Sequence, residues 1–131
     1  MWVYHTGPGY GCPPVYVYKY QGGRSQDIPK EFLKDFKGFL LTDGYQAYHA
    51  ISKERPGELK VAGCWAHARR PFAGIVKSAG KTASQGTVAA EAVKRIAAIY
   101  HVDNMLKDAS NEERLKHRQQ SVKPLADSYF A

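Results

Sequence analysis

The residue with the clearest potential for chemistry is Asp43, which follows a short apolar run at positions 39–41. The run predicts a buried strand, and the Asp43-Gly44 pair predicts a turn at its end. A carboxylate at the exit of a buried strand is held rigidly. Enzymes that act on nucleic acids use such carboxylates to bind Mg²⁺ or Mn²⁺. An Asp-Gly pair is also common in ordinary turns, so a purely structural Asp43 is the alternative.

A second group of reactive side chains follows another predicted strand, at residues 59–63. It consists of a C-x-x-H pair and three cations: Cys64, His67, Arg69, Arg70 and Lys77. An acid, a Cys/His pair and a cluster of cations at successive strand ends are more typical of phosphodiester chemistry than of small-molecule reactions. The cations are candidates for phosphate contacts, although a solvated helix face would carry the same residue types.

The C-x-x-H pair could supply two zinc ligands, whereas a tetrahedral site takes about four. Cys12 and His5 are the other candidates, and they would require the loop between the first two strands to fold back. A buried Cys and a hydrogen-bonded His are therefore the favoured interpretation.

Two further features have both a functional and a structural interpretation. Tyrosines at positions 16, 18 and 20 alternate with Val15, Val17 and Lys19. Such a row can stack bases, but it is more often the half-covered face of a sheet.

Glu91 lies on a predicted helix, and we interpret it as a solvated residue rather than a catalytic one.

Charge and composition limit the class of protein. The 131 residues carry a net charge of +7, which favours an anionic partner such as nucleic acid but indicates no sequence specificity. Two cysteines do not make a disulfide framework, and no secretory signal or membrane-spanning run is recognisable. We therefore expect a cytoplasmic protein without membrane association.

The hydrophobic pattern of residues 1–72 predicts a sheet with helices, an α/β (α+β) arrangement. Two strands form a hairpin, a short helix follows at 28–36, and a strand at 39–42 comes next. A second helix and a strand at 59–63 complete the region. This order matches a ribonuclease H-like core that lacks its first strand.

Residues 73–131 are predicted to be all-helical, because strand patterns vanish after residue 72 and the composition becomes rich in Ala, Lys and Glu. Thr87 is a plausible N-cap for a helix to about residue 107, and Ser110 begins a capping box for another. Pro124 should kink or restart that second helix. The core stripe of the first helix is predicted to include Val88, Ala92, Ile96, Ile99 and Leu106.

Two motifs carry a specific resemblance. TDGYQAYHAI at 42–51 and VAGCWAHARRPF at 61–72 resemble the central domain of transposases of the insertion-sequence 66 family. MWVYHTG at the start and AAEAVKRIAAIYHVD at 89–103 resemble the same family in the same order. The resemblance therefore covers essentially the whole chain.

The resemblance implies a DDE recombinase with a ribonuclease H-like core that a helical insertion interrupts, and residues 73–131 would be the start of this insertion. It makes Asp43 the second catalytic acid and a metal ligand. Cys64 and His67 match a signature near the active site, for which we expect a structural role. The first acid would lie before Met1 and the last beyond Ala131, so this fragment is expected to be inactive by itself and to bind no metal.

The same resemblance implies partners for the intact transposase: transposon ends, target DNA and further copies in a homo-oligomer, with Mg²⁺ or Mn²⁺ as cofactor. Two other functions stay open. The chain could be a non-catalytic, basic nucleic-acid-binding module, or an interaction fragment that acts by pairing with a full-length transposase.

Overall fold

The computed structural model describes residues 1–7, 13–80 and 82–130. These residues form a mixed α and β structure with two two-stranded sheets. They divide into two compact units, Met1–Ala62 and Gly63–Ala131.

The first unit begins with the predicted hairpin, which is confirmed. β1 (Trp2–His5) pairs antiparallel with β2 (Tyr16–Lys19), with Val3 opposite Tyr18. The alternating tyrosines are not half-covered, because Tyr16 and Tyr18 are 56% and 65% exposed. Cys12 lies in the loop, outside the described residues.

The rest of this unit is a helix followed by a strand–helix–strand motif. The elements are α1 (Asp27–Phe32), β3 (Gly38–Thr42), α2 (Gln46–Glu54) and β4 (Leu59–Gly63). The Gly38 N–H donates to the Glu58 carbonyl over 2.8 Å, which joins the beginning of β3 to the beginning of β4. The two strands therefore run parallel, as expected for strands connected by a helix.

The prediction that the 39–41 run is buried is wrong for two of its three residues. Phe39 and Leu41 are 75% and 67% exposed, whereas Leu40 is half-buried. Successive side chains of a strand point to opposite faces. Within the described residues, only one face of β3 is covered. The buried residues of this unit include Leu33, Ala47, Ile51 and Leu59.

Arg55, just after α2, binds the segment that follows α1. Its Nη1 donates to the Leu33 carbonyl over 2.6 Å, and its Nη2 donates to the Phe36 carbonyl over 2.7 Å. The guanidinium therefore satisfies carbonyls just after α1, a helix that ends at Phe32 and not at residue 36 as predicted. Arg55 also pairs with Glu58, and its side chain is only 18% exposed.

We expect Arg55→Ala to destabilise the first unit by about 2–3 kcal/mol, because two carbonyls lose a charged donor. Urea unfolding, followed by the fluorescence of Trp2 in a Trp65→Phe background, measures this. Lys53→Ala, an exposed cation of α2, is the matched control and should change stability by less than about 0.5 kcal/mol. Equal stability of the two variants would contradict a structural role for Arg55.

The second unit is helical, and the two helices predicted after residue 86 are present, whereas the helix Trp65–Ala79 was not predicted as one continuous element. Its elements are α3 (Trp65–Ala79), α4 (Val88–Asn104), α5 (Asn111–His117), a π-helical turn (Arg118–Val122) and α6 (Lys123–Phe130). Both predicted caps are confirmed: the Thr87 side chain accepts from the Ala90 N–H, and Ser110 and Glu113 form the capping box. Pro124 lies in the first turn of α6, where the helix restarts after the π-helical turn.

The stripe predicted for α4 is right in its middle and wrong at its start. Ala92, Ile96 and Ile99 are buried, and Ile96 is inaccessible to solvent. Val88 is 82% exposed because it is the first residue of the helix, where no neighbour covers it; Ala89 is buried instead. In the described part of the chain, no helix has both the length and the apolar character needed to cross a bilayer.

Candidate active site and basic helical face

Asp43 directly follows β3 and forms a turn with the start of α2. Its Oδ1 accepts from the Tyr45 N–H over 3.1 Å, and Gly44 takes a positive φ of 92° that favours glycine. Tyr45 is the N-cap residue of α2. The carboxylate is thus exposed beside a helix N-terminus, where a negative charge is favoured. The turn hydrogen bond thus orients the Asp43 carboxylate, which stays exposed to solvent.

An aromatic cluster lies next to this turn. The ring of Trp2 lies 5.9 Å from that of Tyr45 and 6.4 Å from that of Tyr48, and the two tyrosine rings are 6.1 Å apart. The Tyr45 hydroxyl donates to the Arg24 carbonyl. The sequence analysis missed this cluster. The signal was the i, i+3 spacing of Tyr45 and Tyr48, which puts both rings on one side of α2.

Tyr48 is held in its neutral form. Burial is the largest cause that raises the pKa of its phenol far above the usual range, and the nearby Tyr4 phenol and Asp43 carboxylate raise it further. Burial also raises the pKa of the Tyr4 phenol, whose buried oxygen has no hydrogen-bond partner among the described residues. The Tyr48 phenol, which an ordinary pKa would already keep neutral at physiological pH, therefore stays neutral in more alkaline solution as well.

The described residues do not by themselves form a metal site. In residues 1–7, 13–80 and 82–130, no three His, Cys, Asp or Glu side chains are close enough to hold an ion together. Asp43 supplies one carboxylate, whereas a two-metal site needs several. The donor set present here therefore does not fit the pair of ions implied by the resemblance.

Cys64 and His67 occupy the first turn of α3. Cys64 is the N-cap residue and a half-buried free thiol, whereas His67 is exposed. The proposed third zinc ligand, His5, donates from Nδ1 to the Thr6 carbonyl over 3.1 Å and stacks on Tyr16. Cys12 lies outside the described residues, so the four-ligand arrangement stays untested.

The predicted cations all lie on α3. Arg69 is half-buried, and Arg70 and Lys77 are exposed. Residues 59–90 contain no Asp or Glu, so no acid in the same segment neutralises these charges. Helical periodicity places the three cations toward one side of α3. This side is a basic face suited to phosphate groups.

Arg69 also borders an open groove of about 570 Å³ within the second unit. The groove is lined by Ala66, Arg69, Ala97, Tyr100, His101 and Asn104. Because the start of α3 meets the end of α4 there, the two helices run antiparallel. Glu91, also on α4, is exposed and pairs with Arg95 over 2.9 Å, in agreement with its interpretation as a solvated residue.

Comparison with known proteins assigns the chain to a family. The sequence profile of the transposase IS66 family matches residues 1–131. The chain belongs to this family. No solved structure matches it significantly.

Similar proteins come from Sinorhizobium fredii (strain NBRC 101917 / NGR234). The uncharacterized protein y4hP is 33% identical over 125 residues, which cover 88% of this chain and 23% of the relative. The uncharacterized protein y4qI is 28% identical over 138 residues, covering 99% of this chain and 25% of the relative. The IS66-family chain thus spans about a quarter of the length of these relatives.

Proposed function

We propose that this IS66-family chain is part of the catalytic region of a DNA transposase and that Asp43 is one of its acids. Membership of the family carries the link to transposition. The position of Asp43, directly after a strand of a parallel pair, supports its role. Mg²⁺ or Mn²⁺ would be the cofactor of the intact enzyme, with acids from outside residues 1–131 completing the ligand set.

The sheet arrangement supports a ribonuclease H-like core. An antiparallel hairpin precedes a parallel strand–helix–strand motif, and the described strands form two separate pairs, β1–β2 and β3–β4. In a ribonuclease H-like sheet, the strand that bears the first acid lies between the equivalents of β1 and β3. A strand supplied by another part of the transposase would join the two pairs and cover their open edges.

The basic face of α3 is the proposed DNA contact. Arg69, Arg70 and Lys77 would bind phosphates, which positions DNA without reading its sequence. Cys64 and His67 would support the first turn of the same helix, near the strand end that precedes it.

This proposal predicts weak, sequence-independent and strongly salt-dependent binding of duplex DNA. If three cations each neutralise one phosphate, the affinity should fall about 40-fold between 50 and 200 mM salt, a slope of about −2.7 on logarithmic axes. Fluorescence anisotropy with a labelled duplex at several salt concentrations measures the slope.

The matched control compares two triple variants of equal net charge. Replacing Arg69, Arg70 and Lys77 by Gln should remove most of the binding and flatten the slope. Replacing Lys53, Lys107 and Lys116, which are exposed elsewhere, should have a much smaller effect. Tight binding that is indifferent to salt, or no binding at 50 mM salt, would contradict the proposal.

The acid-free segment at 59–90 also favours a second candidate function, a non-catalytic nucleic-acid-binding module. Both candidates predict the DNA binding described above. They differ in Asp43, whose charge matters for a catalytic region and does not matter for a binding module.

A further inference from the structure

The groove between α3 and α4 combines the features of a nucleotide-binding surface. Two exposed alanines, Ala66 and Ala97, line it, and their small side chains let a flat ligand approach closely. The Arg69 guanidinium, the His101 imidazole and the Asn104 amide supply hydrogen-bond donors at its border. No carboxylate is among its lining residues.

The nearest acid along α4 is already engaged. Asp103 binds Arg118 through two contacts, Nε to Oδ1 over 2.6 Å and Nη2 to Oδ2 over 2.9 Å. The guanidinium lowers the pKa of this carboxyl and neutralises its charge locally. An anionic ligand in the groove would therefore meet a positive electrostatic potential, to which the Arg69 guanidinium contributes most.

The Tyr100 ring determines whether the groove favours single-stranded or duplex DNA. Its ring lines the groove and the residue is 38% exposed, so a base could reach the ring. Base–aromatic stacking requires an unpaired base, because the faces of paired bases are covered by their neighbours in the duplex. The groove is open to solvent and its lining side chains other than Arg69 are exposed, so a flexible single strand can lie along it with a base against the ring.

We propose that this groove binds an unpaired DNA strand, with a base stacked on Tyr100 and the adjoining phosphates bound by Arg69 and His101. The inference rests on the proposed function, because it refines how the chain holds DNA. It adds a strand-selective site to the non-selective contacts of Arg70 and Lys77. Such a site would hold frayed ends, where bases are unpaired.

Anisotropy titration of the 131-residue chain with a labelled 12-nucleotide single strand, and with the matching duplex, tests the proposal. We expect Tyr100→Ala to weaken single-strand binding about tenfold or more while changing duplex binding about twofold or less. Tyr100→Phe should keep most of the affinity, because the stacking face is preserved. Arg69→Gln should weaken both and lower the salt slope by about one.

Two substitutions serve as matched controls. Tyr20→Ala removes a tyrosine that is 84% exposed in the other unit, and Lys116→Gln removes an exposed cation of α5. Both should bind the single strand within about twofold of the parent chain. Circular dichroism verifies that each variant keeps its helical content.

Photocrosslinking of the unaltered chain tests the contact without any substitution. A single strand containing 5-iododeoxyuridine should crosslink at Tyr100. Crosslinking at Tyr16 or Tyr18 instead would assign base stacking to the exposed row on β2 and overturn the groove proposal.

The outcomes separate the two proposals. If Tyr100→Ala leaves single-strand affinity unchanged while salt-dependent duplex binding persists, the groove proposal fails and the proposed function stands. If the chain binds neither form of DNA at low salt, both fail.

Discussion

Asp43→Asn is expected to lower DNA cleavage by the longer transposase at least about 10³-fold while leaving the surrounding fold intact. Asn has nearly the same shape as Asp, and its Oδ1 can still accept from the Tyr45 N–H, so the turn after β3 is kept. The substitution removes only the negative charge that a divalent ion needs. Cleavage of a labelled transposon end with Mg²⁺, by a chain extended to the length of its relatives, measures the effect.

Asp35→Asn is the matched control, because it removes an exposed acid from a turn elsewhere in the same unit. It should retain nearly full activity. Asp43→Ala adds a test of the structural alternative, since Ala removes both the charge and the turn hydrogen bond. If Asp43→Asn cleaves normally and only Asp43→Ala loses stability, Asp43 is a turn residue and has no catalytic role.

The elements that the sequence predicted well are those that local chemistry determines. Thr87 and Ser110 were recognised as helix caps because a hydroxyl before a helical pattern satisfies N–H groups within a few residues. The hairpin and β4 follow from short runs with clear turn residues at their ends. None of these features depends on contacts between distant parts of the chain.

The failures have the opposite origin. Phe39 and Leu41 are apolar, which predicts that they are buried. Their burial requires a second layer of structure on that face of β3, and the periodicity of the sequence does not indicate which layers are present. The segment after α1 is bound by the guanidinium of Arg55, 22 residues after Leu33. Such long-range contacts leave no local signal.

α3 illustrates a different limit. Pro71 lies inside this helix, where its ring removes the N–H that would bond to the His67 carbonyl. Proline normally argues against a helix interior, so the pattern did not predict one continuous element from Trp65 to Ala79. The position of the three cations on one side of α3, and the groove beside Arg69, could therefore not be derived beforehand. Asp43, by contrast, is a candidate from its place after an apolar run, and the structure places it directly after β3.

The second large expected effect is a complete absence of cleavage by the 131-residue chain itself. In Mg²⁺ or Mn²⁺, we expect it neither to nick nor to join DNA above background. The reason is the number of metal ligands, because cleavage through two metal ions requires several carboxylates. Among the described residues, Asp43 belongs to no group of three His, Cys, Asp or Glu side chains that could hold an ion. Incubation with supercoiled plasmid and gel analysis of relaxed product measures nicking with high sensitivity.

Two further chains make this result informative. Asp43→Ala in the 131-residue chain distinguishes true activity from a contaminating nuclease. Metal-dependent nicking that disappears in this variant would mean that the chain contains a complete site. The proposed dependence on outer acids would then be wrong. Extension of the chain at both ends should restore cleavage, because it supplies the other acids and a strand able to join β1 to β3. The extended protein could fold and bind the transposon ends without cleaving them, and this result would remove the support for a catalytic role of Asp43. The binding-module function would then be the better explanation of the basic face on α3.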